Sequence, residues 1–304
     1  MIFNSPVYPI TPSFTKTEEL DTKSVINYLD YLNENGVTNV MTTAGTSQFN
    51  LLNNVEVRIL NDSLKNFNGN KIIGIPSLSF HNIKKEIEYY NESFKGVSNT
   101  YLLILFPERY YTDDQIFNFY NNISKISDFP ILSHANTMRK GNGGNYIYKK
   151  SLLTKLSEIP NFIGIKEESP TIDFSIKELK NVNLEMIVAG GSMRRFWCLE
   201  PFCATSYLSG VGSFFPKIEE SFYKSYIDGD IKMSKKIMVD VEYPLFETFM
   251  GIGWHASMRY ALQIMGFIQN NRSPFIELGD DEKEKIKNVL NKIKKYEDIY
   301  NRSM

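Results

Sequence analysis

Short apolar runs alternate with longer stretches whose apolar residues recur every three or four positions, and this alternation fills the first two thirds of the chain. A short apolar run predicts a strand, and the wider spacing predicts a helix with one buried face. Residues 5–14 (SPVYPITPSF) fit a first strand and its exit loop. Asp21 is placed to cap a helix running to about Asn35, with Val25, Leu29 and Leu32 along one face and Gly36 at its end. Residues 37–43 form the next predicted strand, leading into the small-residue turn Ala44-Gly45-Thr46-Ser47, and residues 54–67 are again helical. Further strands are predicted at 71–78, 99–107, 130–136, 162–166, 186–190 and 206–213, with helices at 81–94, from near Thr112 and from about Lys149. Eight strand segments, nearly every one followed by a helical pattern, argue for parallel pairing and one α/β, (β/α)8 TIM barrel. From Ile218 onward the pattern reads as helical throughout, including 256–267 and 281–296. The expected organisation is therefore a barrel at 1–217 with a C-terminal helical extension at 218–304 packed on it.

The stretch Phe162-Ile163-Gly164-Ile165-Lys166-Glu167-Glu168-Ser169 is where this frame meets chemistry. Side chains alternate faces along a strand, so Phe162, Gly164 and Lys166 share one side while Ile163 and Ile165 take the other. Two branched apolar residues then face covering helices, and a lysine faces inward beside a glycine gap. An ammonium in a tight, poorly solvated site loses hydration, its pKa falls, and the neutral amine can attack a carbonyl carbon to form a Schiff base. Taken alone, the octet also fits a solvated lysine just past a strand end.

In such barrels the functional groups gather at the C-terminal ends of the strands. Those ends carry Ala44-Gly45-Thr46-Ser47, Glu108-Arg109-Tyr110-Tyr111, His134, Lys166, Gly190-Gly191-Ser192 and Ser209-Gly210. Gly45, Thr46 and Ser47 offer backbone N–H groups and hydroxyls that together can hold a carboxylate, although the same residues make ordinary turns. Arg139 is an anion receptor, since guanidinium grips carboxylates bidentately, yet most loop arginines are simply solvated. His134 can donate or accept a proton near neutral pH. The other histidines read differently, His81 as a capping or surface residue at a helix start and His255 as a buried structural residue of the tail. Tyr110 and Tyr111 put hydroxyls where a proton relay can use them, or else pack as an aromatic pair. Met233 and Met238 read as core filling.

Composition narrows the partners. Hydrophobic residues make up 42% and charged residues 23%, with a net charge of −1, which is ordinary for a soluble globular protein and leaves no basic footprint for nucleic acid. No apolar run reaches the length of a membrane span, and the N-terminus lacks a basic-then-apolar signal. Cys198 and Cys203 have neither Cys-x-x-Cys spacing nor a nearby histidine, so no zinc or redox motif is expected. Dispersed histidines without clustered carboxylates likewise point away from a metal site. A reduced, cytoplasmic setting is the simplest inference.

In this order the motifs resemble the dihydrodipicolinate synthase / N-acetylneuraminate lyase family of class I, pyruvate-handling aldolases, over nearly the whole chain. Val7-Tyr8-Pro9-Ile10-Thr11-Pro12-Ser13-Phe14 is similar to the family's opening strand, which ends in T-P-F. Ala44-Gly45-Thr46-Ser47-Gln48 sits where the family has G-T-T-G-E, the loop that holds the keto-acid carboxylate. Gly164-Ile165-Lys166-Glu167 is similar to G-I-K-[DE], whose lysine forms the Schiff base. Leu208-Ser209-Gly210 falls where a backbone carbonyl lines the pyruvate site, and Arg272-Ser273-Pro274-Phe275 resembles the R-x-P-[LF] before the last helices.

Three departures accompany the likeness. His134-Ala135-Asn136-Thr137 stands on the family's Y-N-x-P, so a histidine replaces the relay tyrosine. That register puts Arg139 and Gly141 on the R-x-G of the synthase branch, where the arginine binds the second substrate's carboxylate. The carboxylate loop keeps Thr46 but has Gly45 in place of the other threonine. Pro107-Glu108-Arg109-Tyr110 stands where the synthases carry P-Y-Y, so the relay position at the subunit contact falls on Arg109 unless the loop shifts to offer Tyr110.

The resemblance implies a Schiff-base lyase or aldolase acting on pyruvate or a related 2-keto acid. Lys166 is then the nucleophile, His134 the acid/base group, and Gly45, Thr46 and Ser47 the carboxylate cradle. Leu208 and Ser209 line the site, Tyr110 is a further relay candidate, and Arg139 clamps a distal carboxylate. The partners implied are a small 2-keto acid and an aldehyde, with neither nucleic acid nor membrane, in a homo-oligomer that is a dimer or tetramer. No metal or organic cofactor is needed, because the covalent lysine imine itself serves as electron sink. Two alternatives stay open. One is a keto-deoxy sugar-acid dehydratase of the same family, toward which Ser206-Tyr207-Leu208-Ser209-Gly210 followed by Phe214-Phe215-Pro216 leans. The other is a barrel that binds a keto acid without catalysis.

Overall fold

Strands and helices alternate along the computed structural model as the hydrophobic pattern predicts, and residues 5–43, 45–77, 79–105, 112–134, 148–169, 171–275 and 277–301 are described, with backbone alone at 298 and 301. The order is β1 (Tyr8–Pro9), α1 (Thr22–Glu34), β2 (Asn39–Met41), α2 (Asn54–Asp62), β3 (Asn70–Ile75), α3 (Phe80–Ser93), β4 (Thr100–Leu105) and α4 (Asp113–Ser124). It continues with β5 (Ile131–His134), α5 (Lys150–Leu156), β6 (Phe162–Glu167), α6 (Ile172–Leu179), β7 (Met186–Ala189), α7 (Ser192–Leu199) and β8 (Ser206–Tyr207). Five helices follow: α8 (Pro216–Ile227), α9 (Ile231–Ile237), α10 (Tyr243–Ile252), α11 (Trp254–Ile264) and α12 (Asp280–Asn301). The strands keep sequence order in an eight-stranded sheet, and every described pairing is parallel.

Local chemistry sets the element boundaries. Asp21 accepts a bond from Ser24 N at 3.2 Å to open α1, and Gly36 leaves it with φ +78°. Thr112 opens α4 in a reciprocal cap, accepting from Gln115 N at 3.3 Å while Gln115 Oε1 accepts from Thr112 N at 2.8 Å. Pro244 has no N–H for the carbonyl four residues earlier, and there α9 passes through a π-helical turn at Met238–Glu242 into α10.

Two expectations change. The eighth strand stops at Tyr207 rather than near Ser213, because side chains take over the hydrogen bonding. Ser209 Oγ accepts from Gly212 N at 3.0 Å and donates to Glu219 at 3.0 Å, turning the chain into a 3-10 turn at Val211–Ser213. The tail is not helical throughout either. Between α11 and α12 the chain runs back as an irregular segment in which Asn270 pairs with Phe14 and Arg272 forms an ion pair with Glu56. Among the tail residues expected to be buried, His255, Met233 and Met238 are half-buried, whereas His81 is exposed at the start of α3 as anticipated.

The chain packs as two compact units, Met1–Val7 with Gly69–Leu208, and Tyr8–Asn68 with Ser209–Met304. The first holds β3 to β8. Its central strands are buried along their whole length, as β4 and β6 show, which is the signature of parallel strands covered on both faces. Here Val7 pairs in parallel with Leu208 and donates its N–H to Tyr207 O at 2.9 Å.

The second unit holds β1, β2, α1, α2 and α8 to α12. Arg259 of α11 is wholly buried within it. Its guanidinium donates to Pro12 O at 3.0 Å, Gln48 Oε1 at 3.1 Å, Asn270 O at 3.0 Å and Asn271 Oδ1 at 2.7 Å, and lies over the Phe14 ring. A buried arginine bonded through all three of its nitrogens thus ties the exit of β1 to the irregular tail segment. Among the described residues no helix is long and apolar enough to cross a membrane.

Candidate active site

The last residue of β5, His134, and Lys166 of β6 are register partners in the parallel ladder. Their direction is fixed from behind. Ser133 faces α4, where its Oγ lies 2.8 Å from Tyr120 Oη. Glu167 faces α6 and α7, where Arg195 grips both of its oxygens at 2.8–3.0 Å. Glu167 Oε1 also accepts from Ser175 Oγ at 2.7 Å, from Tyr148 Oη at 3.1 Å and from Ser169 N at 2.6 Å. With Ser133 and Glu167 committed to the helices, alternation sends His134, Lys166 and Glu168 to the opposite face. The glycine two residues before Lys166 is required by close approach of the neighbouring strand, since a β-carbon on Gly164 would stand 2.0 Å from Met186 O.

Lys166 and His134 are completely buried. Lys166 Nζ lies 3.2 Å from His134 Nε2 and forms an ion pair with Glu168 Oε1, while Glu168 Oε2 lies 3.2 Å from the same His134 nitrogen. Burial works against the charge of the Glu168 carboxyl, but the Lys166 ammonium and then the His134 ring outweigh it and hold the group well below the usual carboxylate range. A single imidazole nitrogen faces both neighbours, so it can accept from Lys166 or donate to Glu168 but not both at once. The Lys166–Glu168 contact is present with either tautomer.

The sequence reading brought Lys166 and His134 to one place and missed Glu168. It included Glu167 in the lysine motif without giving it a role, and Glu167 belongs to the buried cluster behind the strand. The signal was available, because the alternation that put Gly164 and Lys166 on one side continues to Glu168.

The other candidates are placed as follows. Gly45, Thr46 and Ser47 belong to the second unit; Gly45 O accepts from Gln48 N at 3.0 Å, and Ser47 Oγ donates to Met41 O at 3.3 Å. Thr46 is half-buried, and the turn closes on Gln48 in the left-handed region at φ +55°. Leu208 is buried in the first unit with its N–H on Ala189 O at 2.8 Å. Ser209 is engaged with Glu219 and Gly212, as described above. Arg139 and Tyr110 lie outside the described residues, as do Arg109 and Gly141. Cys198 and Cys203 are unbonded and half-buried, and burial raises the Cys203 thiol to about 11, which keeps it protonated at neutral pH. Among the described residues no three His, Cys, Asp or Glu side chains gather as metal ligands would.

A model of the dihydrodipicolinate synthetase family matches residues 3–293. The 4-hydroxy-tetrahydrodipicolinate synthase of Thermotoga petrophila is 23% identical over 280 residues, covering 90% of this chain and 94% of that protein. The synthase of Wigglesworthia glossinidia brevipalpis is 30% identical over 186 residues, 59% of this chain and 58% of that one. Among solved structures, dihydrodipicolinate synthase from Thermotoga maritima matches with a TM-score of 0.81 at 22% identity, covering 97% of this chain and 99% of that one. N-acetylneuraminate lyase from Mycoplasma synoviae matches with a TM-score of 0.78 at 18% identity, covering 95% and 97%. These likenesses identify the fold as a TIM barrel with a C-terminal helical region. With the family model spanning almost its whole length, the chain belongs to the dihydrodipicolinate synthetase family.

Proposed function

We propose that the protein is a Schiff-base lyase or aldolase acting on pyruvate or a related 2-keto acid. One observation carries the reading: the Lys166 amine is buried at the end of a parallel strand, directly beside two groups able to exchange its proton. Such a lysine can add to the carbonyl carbon of a 2-keto acid and lose water to give an iminium, which then accepts the electrons released when an adjacent bond breaks. His134 is the acid/base group for protons on the substrate. Gly45, Thr46 and Ser47 supply the carboxylate cradle, with Leu208 and Ser209 lining the site and Arg139 holding a distal carboxylate. Relatives named 4-hydroxy-tetrahydrodipicolinate synthase support this class of chemistry, and the histidine at position 134 leaves the second substrate open.

Reductive trapping tests the reading. Protein mixed with pyruvate and borohydride is digested and searched for added mass, with Lys166→Ala as control. We expect an adduct on Lys166. Absence of any adduct with pyruvate and with a panel of longer 2-keto acids leaves a barrel that binds without catalysing.

A further inference from the structure

We propose that Glu168 is a catalytic residue of this site, the group that takes the proton from the Lys166 nitrogen and returns it to the departing oxygen. This rests on the Schiff-base reading above and assigns to Glu168 a step which that reading leaves without an owner.

The geometry carries it in three ways. Glu168 bonds Lys166 directly, and does so with either tautomer of His134, whereas the histidine reaches Lys166 only when its Nε2 bears no proton. Its backbone is anchored on both sides, by Glu167 in the Arg195 cluster and by Ser169, whose Oγ lies 2.7 Å from Tyr148 Oη and whose carbonyl accepts from Arg195 at 2.8 Å. The carboxylate is therefore held at the amine by the fold. The chain also leaves room for it, because Gly190 at the end of β7 carries no side chain where one would strike Glu168 Cγ at 2.7 Å. The second carboxylate oxygen also reaches His134 Nε2 at 3.2 Å, a contact that neutralising Lys166 alone does not call for.

The resting pair is ammonium and carboxylate. A 2-keto acid filling the site expels water, which raises the cost of two separated charges and favours transfer of the proton from Nζ to the carboxylate. The neutral amine then forms its C–N bond to the keto carbon as the C=O π pair moves to oxygen. A proton passes from nitrogen to that oxygen, giving the neutral carbinolamine. Glu168 then gives its proton to the hydroxyl, the C–O bond breaks, water leaves, and the nitrogen lone pair forms the iminium. Glu168 ends as the carboxylate it began as, so the balance is ammonium plus ketone to iminium plus water.

The test uses the full-length protein and pyruvate, reading the rate of borohydride-trapped adduct at Lys166 in Glu168→Gln and Glu168→Ala, with circular dichroism confirming folding. We expect both variants to keep Lys166 trappable but to form the adduct at least about 100-fold more slowly, the lower range for loss of an acid/base group. Added formate should restore much of the rate in Glu168→Ala, and sodium chloride at equal ionic strength should not. A Glu168→Gln rate within a few-fold of wild type overturns the assignment while leaving the Schiff-base reading intact. So does a slow Glu168→Ala that ignores formate, since a carboxylate that only positions Lys166 gives that pattern. Absence of any adduct in wild type overturns both.

Discussion

Gly190 and Glu168 share one space: a β-carbon on the glycine would stand 2.7 Å from Glu168 Cγ and 3.0 Å from Glu167 O. Gly190→Ala should therefore cost about 1–3 kcal/mol through overpacking. Much of that loss should vanish in the double variant with Glu168→Ala, because the truncated neighbour no longer occupies the space. A double-mutant cycle from urea unfolding measures the coupling, and additive single effects would contradict it.

The cluster behind the lysine strand predicts a different loss. Glu167 is fully buried and takes its charge compensation from Arg195. Arg195→Met should destabilise the protein by about 3–5 kcal/mol, the cost of stranding a buried carboxylate. The double variant Glu167→Gln/Arg195→Met should regain part of that. Denaturant midpoints for the three proteins decide the matter.

Gly164 and Gly45 make a contrast within one experiment. A β-carbon on Gly164 meets the Met186 carbonyl at 2.0 Å, a backbone atom that cannot move without parting two strands, whereas one on Gly45 meets nothing within 4 Å. Gly164→Ala should lower the melting temperature by roughly 10 °C or more, or prevent soluble expression, as overpacking against backbone demands. Gly45→Ala should leave melting nearly unchanged, so that any effect on keto-acid binding tests the proposed cradle alone.

The second unit contains a group that makes stability fall with rising pH. Burial raises the Glu220 carboxyl to about 7, with the Tyr8 hydrogen bond at 2.8 Å opposing and the Glu219 charge adding to the shift. The folded protein binds this proton more tightly than the unfolded chain, whose glutamate titrates near 4.3. Its contribution is therefore full below about pH 4 and is lost as the pH rises through about 7. Unfolding free energy should drop by on the order of 2–3 kcal/mol from this group between those limits. Glu220→Gln should flatten that slope, and an unchanged slope would show that another group sets it.

Much of this molecule is legible from periodicity. The strands that bury both faces are continuous apolar runs, and Asp21 and Thr112 announce their helices because the caps are local chemistry. Lys166 and His134 meet because each is the inward residue at the end of its strand, which alternation alone locates. Glu168 was hidden because two adjacent glutamates look alike in sequence, and only packing separates the one held by Arg195 from the one that meets the lysine. The truncated eighth strand was illegible for a related reason, since Ser209 and Glu219 are ten residues apart in sequence and meet only once α8 has folded back. The break before α12 depends on Phe14 and Glu56, still more distant partners.

That His134 and Lys166 are register partners on adjacent strands has an evolutionary consequence. Their separation is set by the spacing of the backbone ladder, a length common to every sheet, and owes nothing to the loops beyond the strand ends. Insertions or replacements in those loops can recast the rim while the lysine–histidine pair keeps its spacing. A chain built this way can diverge far in its loops while the lysine and the histidine keep the spacing of neighbouring strands.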